Sequence, residues 1–269
     1  MVRALRGRRL LITGASGGIG RSLALEAGRH GARLALAARS KDRLDELAGV
    51  LAQSGCQALA IAADVTCAQD RQRLLDEVVQ HYGGLDVLVN NAGIGSFGHF
   101  ADSSEAVLRK IMEVNFFAPA ELIRQALPLL KQGEQPAIVN VASMCGRRAL
   151  PAWPEYSASK FALCGLSEAL RAELVRFGVD VLLVLPGLTR TGLAGKLLRN
   201  EGRMPIDFAA GMEPETVARK IVRALVKNRS ETVLGRDARM ILYVNRLMPR
   251  LVDRLMARKV RQLYAGESG

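Results

Sequence analysis

The amino-acid sequence predicts an α/β fold built on a doubly wound parallel β-sheet of about seven strands flanked by helices. Three observations carry this reading. Short apolar runs recur along the chain, mostly continuous Val/Ile/Leu/Ala stretches, as expected of strands covered on both faces. Between them lie segments with apolar residues at i, i+3 and i+4, the spacing of helices that bury one side. The alternation runs without a Pro/Ser-rich break, and 269 residues suffice for one sizeable core.

The first strand, Leu10–Thr13, stops at Gly14-Ala15-Ser16-Gly17-Gly18-Ile19-Gly20, and the helical segment Arg21–His30 follows. A strand that turns straight into a helix leaves the first helical N–H groups unpaired. With the positive end of the helix dipole they form a phosphate site. Glycine is needed there because a side chain would hold the backbone off the anion. The spacing Gly14-x-x-x-Gly18-x-Gly20 is neither GxGxxG nor GxxxxGK[ST]. Taken alone, it also fits an ordinary glycine-rich connection.

The second strand, Arg33–Ala38, ends in Arg39-Ser40-Lys41 with no Asp or Glu. In dinucleotide-binding sheets an acid at that point holds a ribose 2′-hydroxyl, whereas an Arg accommodates a 2′-phosphate. Arg39, helped by Lys41, therefore favours NADP(H) over NAD(H). Ser40 is placed to cap the next helix, Asp42–Gln53. After the third strand, Ala58–Ala62, come Asp64 and Val65. Asp64 either accepts a hydrogen bond from an adenine amino group or caps the helix Ala68–Tyr82. The fourth strand, Asp86–Asn90, runs into Asn91-Ala92-Gly93, small residues that permit close approach and an amide able to pin neighbouring loops.

A long helix is read over Glu105–Leu130, and the strand Ala137–Ala142 then delivers Ser143 to the same end of the sheet. A helix at Tyr156–Phe177, a strand at Val179–Leu185, a helix at Pro214–Lys227 and a strand at Thr232–Leu234 complete the pattern. Tyr156 and Lys160 are four apart, on one helical face. A tyrosine with its ordinary pKa near 10 is a poor base, and a cationic neighbour lowers that value. Tyr156 is then a usable general acid and base, and Ser143 can hydrogen-bond the carbonyl that Tyr156 protonates.

Thr13-Gly14-x-x-x-Gly18-Ile19-Gly20, Asn90-Asn91-Ala92-Gly93, Ser143 and Tyr156-x-x-x-Lys160 together resemble the short-chain dehydrogenase/reductase family. Order and spacing match from about Gly7 to Val226, and Pro186-Gly187-x-x-x-Thr191 matches the family's turn after its sixth strand. The resemblance implies a single-domain Rossmann fold and hydride transfer between a nicotinamide and a carbonyl or alcohol carbon. By position it makes Tyr156 the proton donor or acceptor, while Ser143 orients the substrate oxygen. Lys160 binds the nicotinamide ribose and lowers the tyrosine pKa, and Asn115 holds a water in a proton relay. Gly14, Ser16, Gly18, Ile19, Gly20, Arg39, Ser40, Asp64, Val65, Asn91, Ala92, Gly93, Tyr156, Lys160, Pro186, Gly187, Thr189 and Thr191 form the cofactor side. Among these, Thr191 contacts the nicotinamide carboxamide.

The loops after the fourth, fifth and sixth strands carry Ile94, Phe97 and Phe100, then Met144, Leu150 and Trp153, then Leu188 and Leu193. Met144, Leu150, Trp153 and Leu188, with Ser143 and Tyr156, are the substrate-binding candidates. Their apolar character fits a steroid, retinoid, fatty or similar carbonyl compound. Arg147, Arg148, Arg190, Lys196 and Arg199 on the same side are either exposed loop charge or a site for an acidic, carrier-bound 3-oxoacyl thioester. Leu193–Phe208 reads as a mobile lid with little core of its own. A non-catalytic NADP sensor is the alternative class, and the intact Ser143, Tyr156 and Lys160 speak against it.

The formal charge is +12, with eight Lys/Arg against two Asp between Arg236 and Tyr264. No helix-turn-helix, zinc finger or aromatic RNA platform favours a nucleic-acid partner. Four cysteines and three histidines without ligand spacing predict no metal site and no disulfide framework. No apolar run reaches the ~18 residues of a membrane span, and the basic N-terminus leads directly into the first strand. Cytoplasmic residence is the expectation. Residues 1–235 are read as the NADP-binding catalytic domain and 236–269 as a basic amphipathic helical extension. There Arg246, Arg250, Arg254, Arg258 and Arg261 form one stripe, and Pro249 sits at a kink or opens a second helix. The extension's apolar face packs on the domain, joins a homodimer or homotetramer, or contacts an anionic membrane.

Overall fold

Alternate side chains of the first strand, β1 (Arg9–Thr13), face opposite sides of the sheet: Leu10 and Ile12 pack into one apolar layer, Leu11 into the other. The computed structural model describes residues 2–192, 195 and 197–265. Strands β2 (Arg33–Ala38), β3 (Ala58–Ala62), β4 (Val87–Asn90), β6 (Ala137–Val141), β7 (Asp180–Pro186) and β9 (Glu231–Leu234) join β1 in a seven-stranded parallel sheet. The order is β3-β2-β1-β4-β6-β7-β9. One face is covered by α1 (Gly18–Arg29), α2 (Lys41–Gln53) and α7 (Pro214–Val226). The other is covered by α3 (Ala68–Tyr82), α5 (Ala118–Leu130) and α6 (Pro154–Leu174). This is the predicted doubly wound arrangement. The strand order reverses between β1 and β4, which puts the ligand crevice at their carboxyl ends.

Three sequence-based expectations need correction. Helix α1 opens at Gly18, inside the glycine cluster and three residues before the predicted start, because Arg21 N–H already bonds the Gly17 carbonyl (3.3 Å). The helix read over Glu105–Leu130 is two helices, α4 (Glu105–Met112) and α5, joined by a π-helical turn at Glu113–Phe117. A π turn inserts one residue into the 3.6 period, and helical spacing in the sequence does not register it. Within the segment read as the lid Leu193–Phe208, the described residues from Leu197 on make apolar contacts of their own. Leu193 and Lys196 lie outside the described residues, but β8 (Leu197–Asn200) pairs in parallel with β5 (Gly95–Phe97). Beyond it, Met204, Ile206 and Phe208 pack against Phe97 and Trp153.

After β9 the chain forms α8 (Arg236–Leu247) and α9 (Pro249–Leu263). Pro249 stands in the first turn of α9, where its missing N–H costs nothing. Gly187 makes room for this extension: a Cβ there would lie 2.9 Å from the Ala238 Cβ.

Candidate active site

The glycine turn is shaped by its neighbours. Gly14 has φ +67°, and a Cβ on it would sit 2.9 Å from the Ala92 Cα. A Cβ on Gly20 would lie 2.3 Å from the Gly14 carbonyl oxygen. Asn91 locks the turn from β4, its Nδ2 donating to the carbonyls of Thr13 (2.9 Å) and Gly14 (3.3 Å). The backbone N–H groups of Asn91 and Ala92 in turn donate to the Thr13 hydroxyl. No side chain caps α1 at Gly17, so the first helical N–H groups face the half-buried Ser16–Ile19 turn. Thr191 closes over it: a Cβ on Gly18 would meet the Thr191 side chain at 3.2 Å. Pro186, Gly187 and Thr189 bring the chain there, Gly187 N–H donating to the Leu234 carbonyl (2.7 Å) and the Thr189 hydroxyl to the Gly187 carbonyl (3.0 Å).

At the end of β2, Arg39 is exposed and has no ion pair or hydrogen bond among the described residues. Lys41 is taken by Asp45. Ser40 precedes α2 but makes no side-chain cap, so its hydroxyl is not spent on the helix. Asp64 does not cap α3, whose cap position is Cys67. Instead its carboxylate accepts from the Thr66 N–H (2.9 Å) and hydroxyl (2.7 Å). Burial pushes the Asp64 carboxyl up, but these bonds, with the charges of Lys110 and Arg39, bring it below its ordinary value. Val65, Thr13 and Ala92 line one small cavity between the β1 and β4 loops. The close backbone approach, uncapped helix and free guanidinium fit a dinucleotide.

Across the crevice, Ser143 lies two residues beyond β6 and accepts a hydrogen bond from Cys145 N–H (3.2 Å). Tyr156 and Lys160 stand on the first turns of α6, with Trp153 edge-on to the Tyr156 ring at 5.4 Å. Burial raises the Tyr156 phenol above its ordinary value, and the Ser143 hydroxyl works against the rise. The lowering expected from Lys160 does not appear: its Nζ is 5.7 Å from the ring centroid and donates to the Val141 carbonyl (3.2 Å). Lys160 is only 4% exposed, and burial brings its pKa from 10.5 down to about 8.

That burial carries a stability consequence with a definite sign. Between about pH 8 and 10.5 the unfolded chain holds the proton that folded Lys160 has lost, so stability rises with pH across this window. Below it the cost is fully present, at about 1.4 kcal/mol per pKa unit. Lys160→Met is expected to raise the unfolding free energy near neutral pH by up to about 3 kcal/mol. The gain over wild type shrinks as pH approaches about 10, and denaturant unfolding at several pH values checks it.

Asn115 sits in the π turn, 1% exposed, its Oδ1 accepting from Ile94 N–H (2.9 Å). Its Nδ2 donates to the Ile94 carbonyl and the Ser159 hydroxyl, each at 3.0 Å. The Ser159 hydroxyl donates on to the Tyr156 carbonyl (2.7 Å). The π turn thus ties the β4 loop to the α6 turn that carries Tyr156. A Cβ on Gly93 would lie 3.6 Å from Lys160 Nζ and 3.2 Å from Asn115 Oδ1, so these residues meet at one point.

Sequence reasoning missed a second polar chain that seats α6. Asn90 Nδ2 donates to Asn140 Oδ1, Asn140 Nδ2 to the Ser167 hydroxyl (both 2.9 Å), and that hydroxyl to the Leu163 carbonyl. Asn90 and Asn140 are paired in register on β4 and β6. Two asparagines inside otherwise apolar strands were the available signal. Glu155, beside Tyr156, was also passed over; it is 1% exposed, and neither carboxylate oxygen has a hydrogen-bond partner among the described residues.

The substrate candidates divide. Trp153, Leu150 and Phe97 form an apolar wall with the Tyr156 ring, and Met144 joins Leu150 and Tyr156 in the adjoining cluster. That cluster includes Ala238 and Ile241 of α8, two wall residues the sequence reading had not assigned. Leu188 and Phe100 instead face solvent, at 41% and 63% exposure. The loop arginines hold acidic partners: Arg147 with Glu168 and Glu231, Arg148 with Asp253, Arg190 with Glu213, and Arg199 with Glu201.

The sequence model of the family described as short chain dehydrogenase matches residues 8–202. A bovine protein named Dehydrogenase/reductase SDR family member 7B is 33% identical over 264 residues, covering 94% of this chain and 81% of its own length. A short-chain dehydrogenase/reductase from Burkholderia phymatum, solved with NAD, superposes with a TM-score of 0.85 at 26% identity, over 93% of this chain and 96% of that one. An alcohol dehydrogenase from Thermococcus sibiricus, complexed with 5-hydroxy-NADP, gives 0.76 at 28% identity, over 85% and 96%. With its seven-stranded parallel sheet and its glycine turn, Ser143 and Tyr156-x-x-x-Lys160 gathered at one end, the chain belongs to the short-chain dehydrogenase/reductase family of oxidoreductases.

Proposed function

We propose that this protein is an NADP(H)-dependent oxidoreductase that interconverts the carbonyl and alcohol of a hydrophobic small molecule. The bound nicotinamide supplies or accepts the hydride. Tyr156 gives the proton to the substrate oxygen or takes it back, Ser143 holds that oxygen, and Lys160 binds the nicotinamide ribose. Asn115 links the β4 loop to this group and holds the water of the proton relay. The Trp153–Leu150–Met144 wall supports an apolar substrate, and the pairing of the loop arginines leaves less charge for an acidic carrier.

The observation that carries the cofactor choice is Arg39, exposed at the end of β2 with no ion pair or hydrogen bond among the described residues. A charge-assisted contact to a 2′-phosphate contributes about 1.5–3 kcal/mol, or tenfold and more in affinity. Wild type is therefore expected to bind NADPH at least about tenfold more tightly than NADH, and Arg39→Ala to erase most of that difference. Titration of both nucleotides into both proteins checks it, and equal affinities in wild type overturn the assignment. A screen of aliphatic and aromatic carbonyls by NADPH absorbance tests the substrate class.

A homodimer or homotetramer belongs to the same proposal. Phe117 on the π turn and Phe161 on α6 are large apolar side chains left exposed on neighbouring elements. Cytoplasmic residence is the proposed location.

A further inference from the structure

Helices α8 and α9 have two unlike sides. Ala238 and Val252 are buried, and Ile241 packs with Met144, Leu150 and Tyr156. Arg148 clamps both helices from the substrate side, bonding Asn245 Oδ1 (3.2 Å) and Asp253 (2.7 Å). The far end is held where the Tyr264 ring stands edge-on to His99 at 4.8 Å. The outer side is apolar and unpartnered among the described residues. Met240, Tyr243 and Leu247 follow helical spacing on α8, Leu251 and Leu255 on α9, and exposures run from 37% to 65%.

The cations beside this stripe are unpaired as a group among the described residues. Arg236, Arg239, Arg246, Arg250, Arg254, Arg258, Lys259 and Arg261 have no ion pair among the described residues, whereas every loop arginine near the substrate side has one. Asp253, the extension's second acid, is turned inward to Arg148. A second copy of the chain on this face would set arginine against arginine, and Phe117 and Phe161 offer an apolar face elsewhere for self-association. An anionic bilayer meets both demands at once, taking leucine and methionine side chains at the acyl boundary and lipid phosphates on the flanking arginines. No described helix is long and apolar enough to cross a membrane.

We infer that the outer face of α8–α9 is an interfacial docking surface for anionic lipid bilayers. The helices would lie in the plane of the interface. A helix with its side chains is about 10–12 Å across, so the bilayer would stand roughly that far from the Met144–Tyr156 wall that the inner face completes. Docking holds whatever carbonyl compound is reduced.

The test is sedimentation of the full chain with phosphatidylcholine vesicles, with and without phosphatidylglycerol, at low and high salt. Wild type is expected in the pellet only with phosphatidylglycerol at low salt. The variant Arg250→Gln/Arg254→Gln/Arg258→Gln should bind about 100-fold more weakly, near fivefold per charge. The variant Leu247→Gln/Leu251→Gln/Leu255→Gln should lose binding by more than about tenfold, with unfolding temperature and solution mass unchanged. Wild type left in the supernatant with anionic vesicles overturns the inference. So does a leucine variant that binds as wild type does. A leucine variant whose solution mass falls would assign the face to a second copy instead.

Discussion

Tyr156→Phe is expected to lower turnover by at least about 100-fold, the range a positioned acid–base group supplies. This corresponds to about 2.7 kcal/mol of transition-state stabilisation. The substitution removes one hydroxyl and keeps the ring, so the edge-on contact with Trp153 and the apolar wall survive. Folding and nucleotide affinity should stay near wild type. The phenol's raised pKa keeps it protonated in the free protein near neutral pH, the form needed to donate a proton to a carbonyl oxygen. Carbonyl reduction should therefore persist at neutral pH, while alcohol oxidation should gain as pH rises. Steady-state rates in both directions check this, and a Tyr156→Phe protein with near-normal kcat would place the proton donor elsewhere.

Gly20→Ala is expected to cost about 2–4 kcal/mol of stability and most of the nucleotide affinity. The new Cβ would lie 2.3 Å from the Gly14 carbonyl oxygen, 2.6 Å from Asn91 Nδ2 and 2.8 Å from the Gly14 carbonyl carbon. Two of these are backbone atoms in a turn already at φ +67°, so relief must come by moving the turn or the Asn91 amide. Either movement breaks the bonds to Thr13 and Gly14 that hold the glycine turn. Gly17→Ala separates the two effects, because no atom of the described residues lies within 4 Å of a Cβ there and its backbone is extended. Its stability should match wild type within about 0.5 kcal/mol, while nucleotide affinity falls if the phosphate packs against that backbone. Denaturant unfolding and nucleotide titration of the pair give the answer.

The sequence by itself determined the fold class, because the signals are local. Leu10, Leu11 and Ile12 are apolar in succession before a glycine turn, which suits a strand covered on both sides, and each helix announces its buried face by its own spacing. The glycine spacing, the missing acid after Ala38, and Ser143 with Tyr156-x-x-x-Lys160 were legible for the same reason: few residues in short register carry each chemistry. What the tertiary structure decided lies in contacts between distant segments. The π turn appears only once Asn115 finds Ile94 and Ser159, and the Asn90–Asn140–Ser167 chain needs β4, β6 and α6 assembled. Spacing in the sequence placed Lys160 near Tyr156, but burial in the folded site set the protonation of both, against the charge effect the spacing implied. The extension's amphipathic pattern was plain in the sequence. Which of its sides meets the Met144–Tyr156 wall and which stays bare was decided by the packing of Ala238, Ile241 and Val252, a choice that spacing within one helix leaves open.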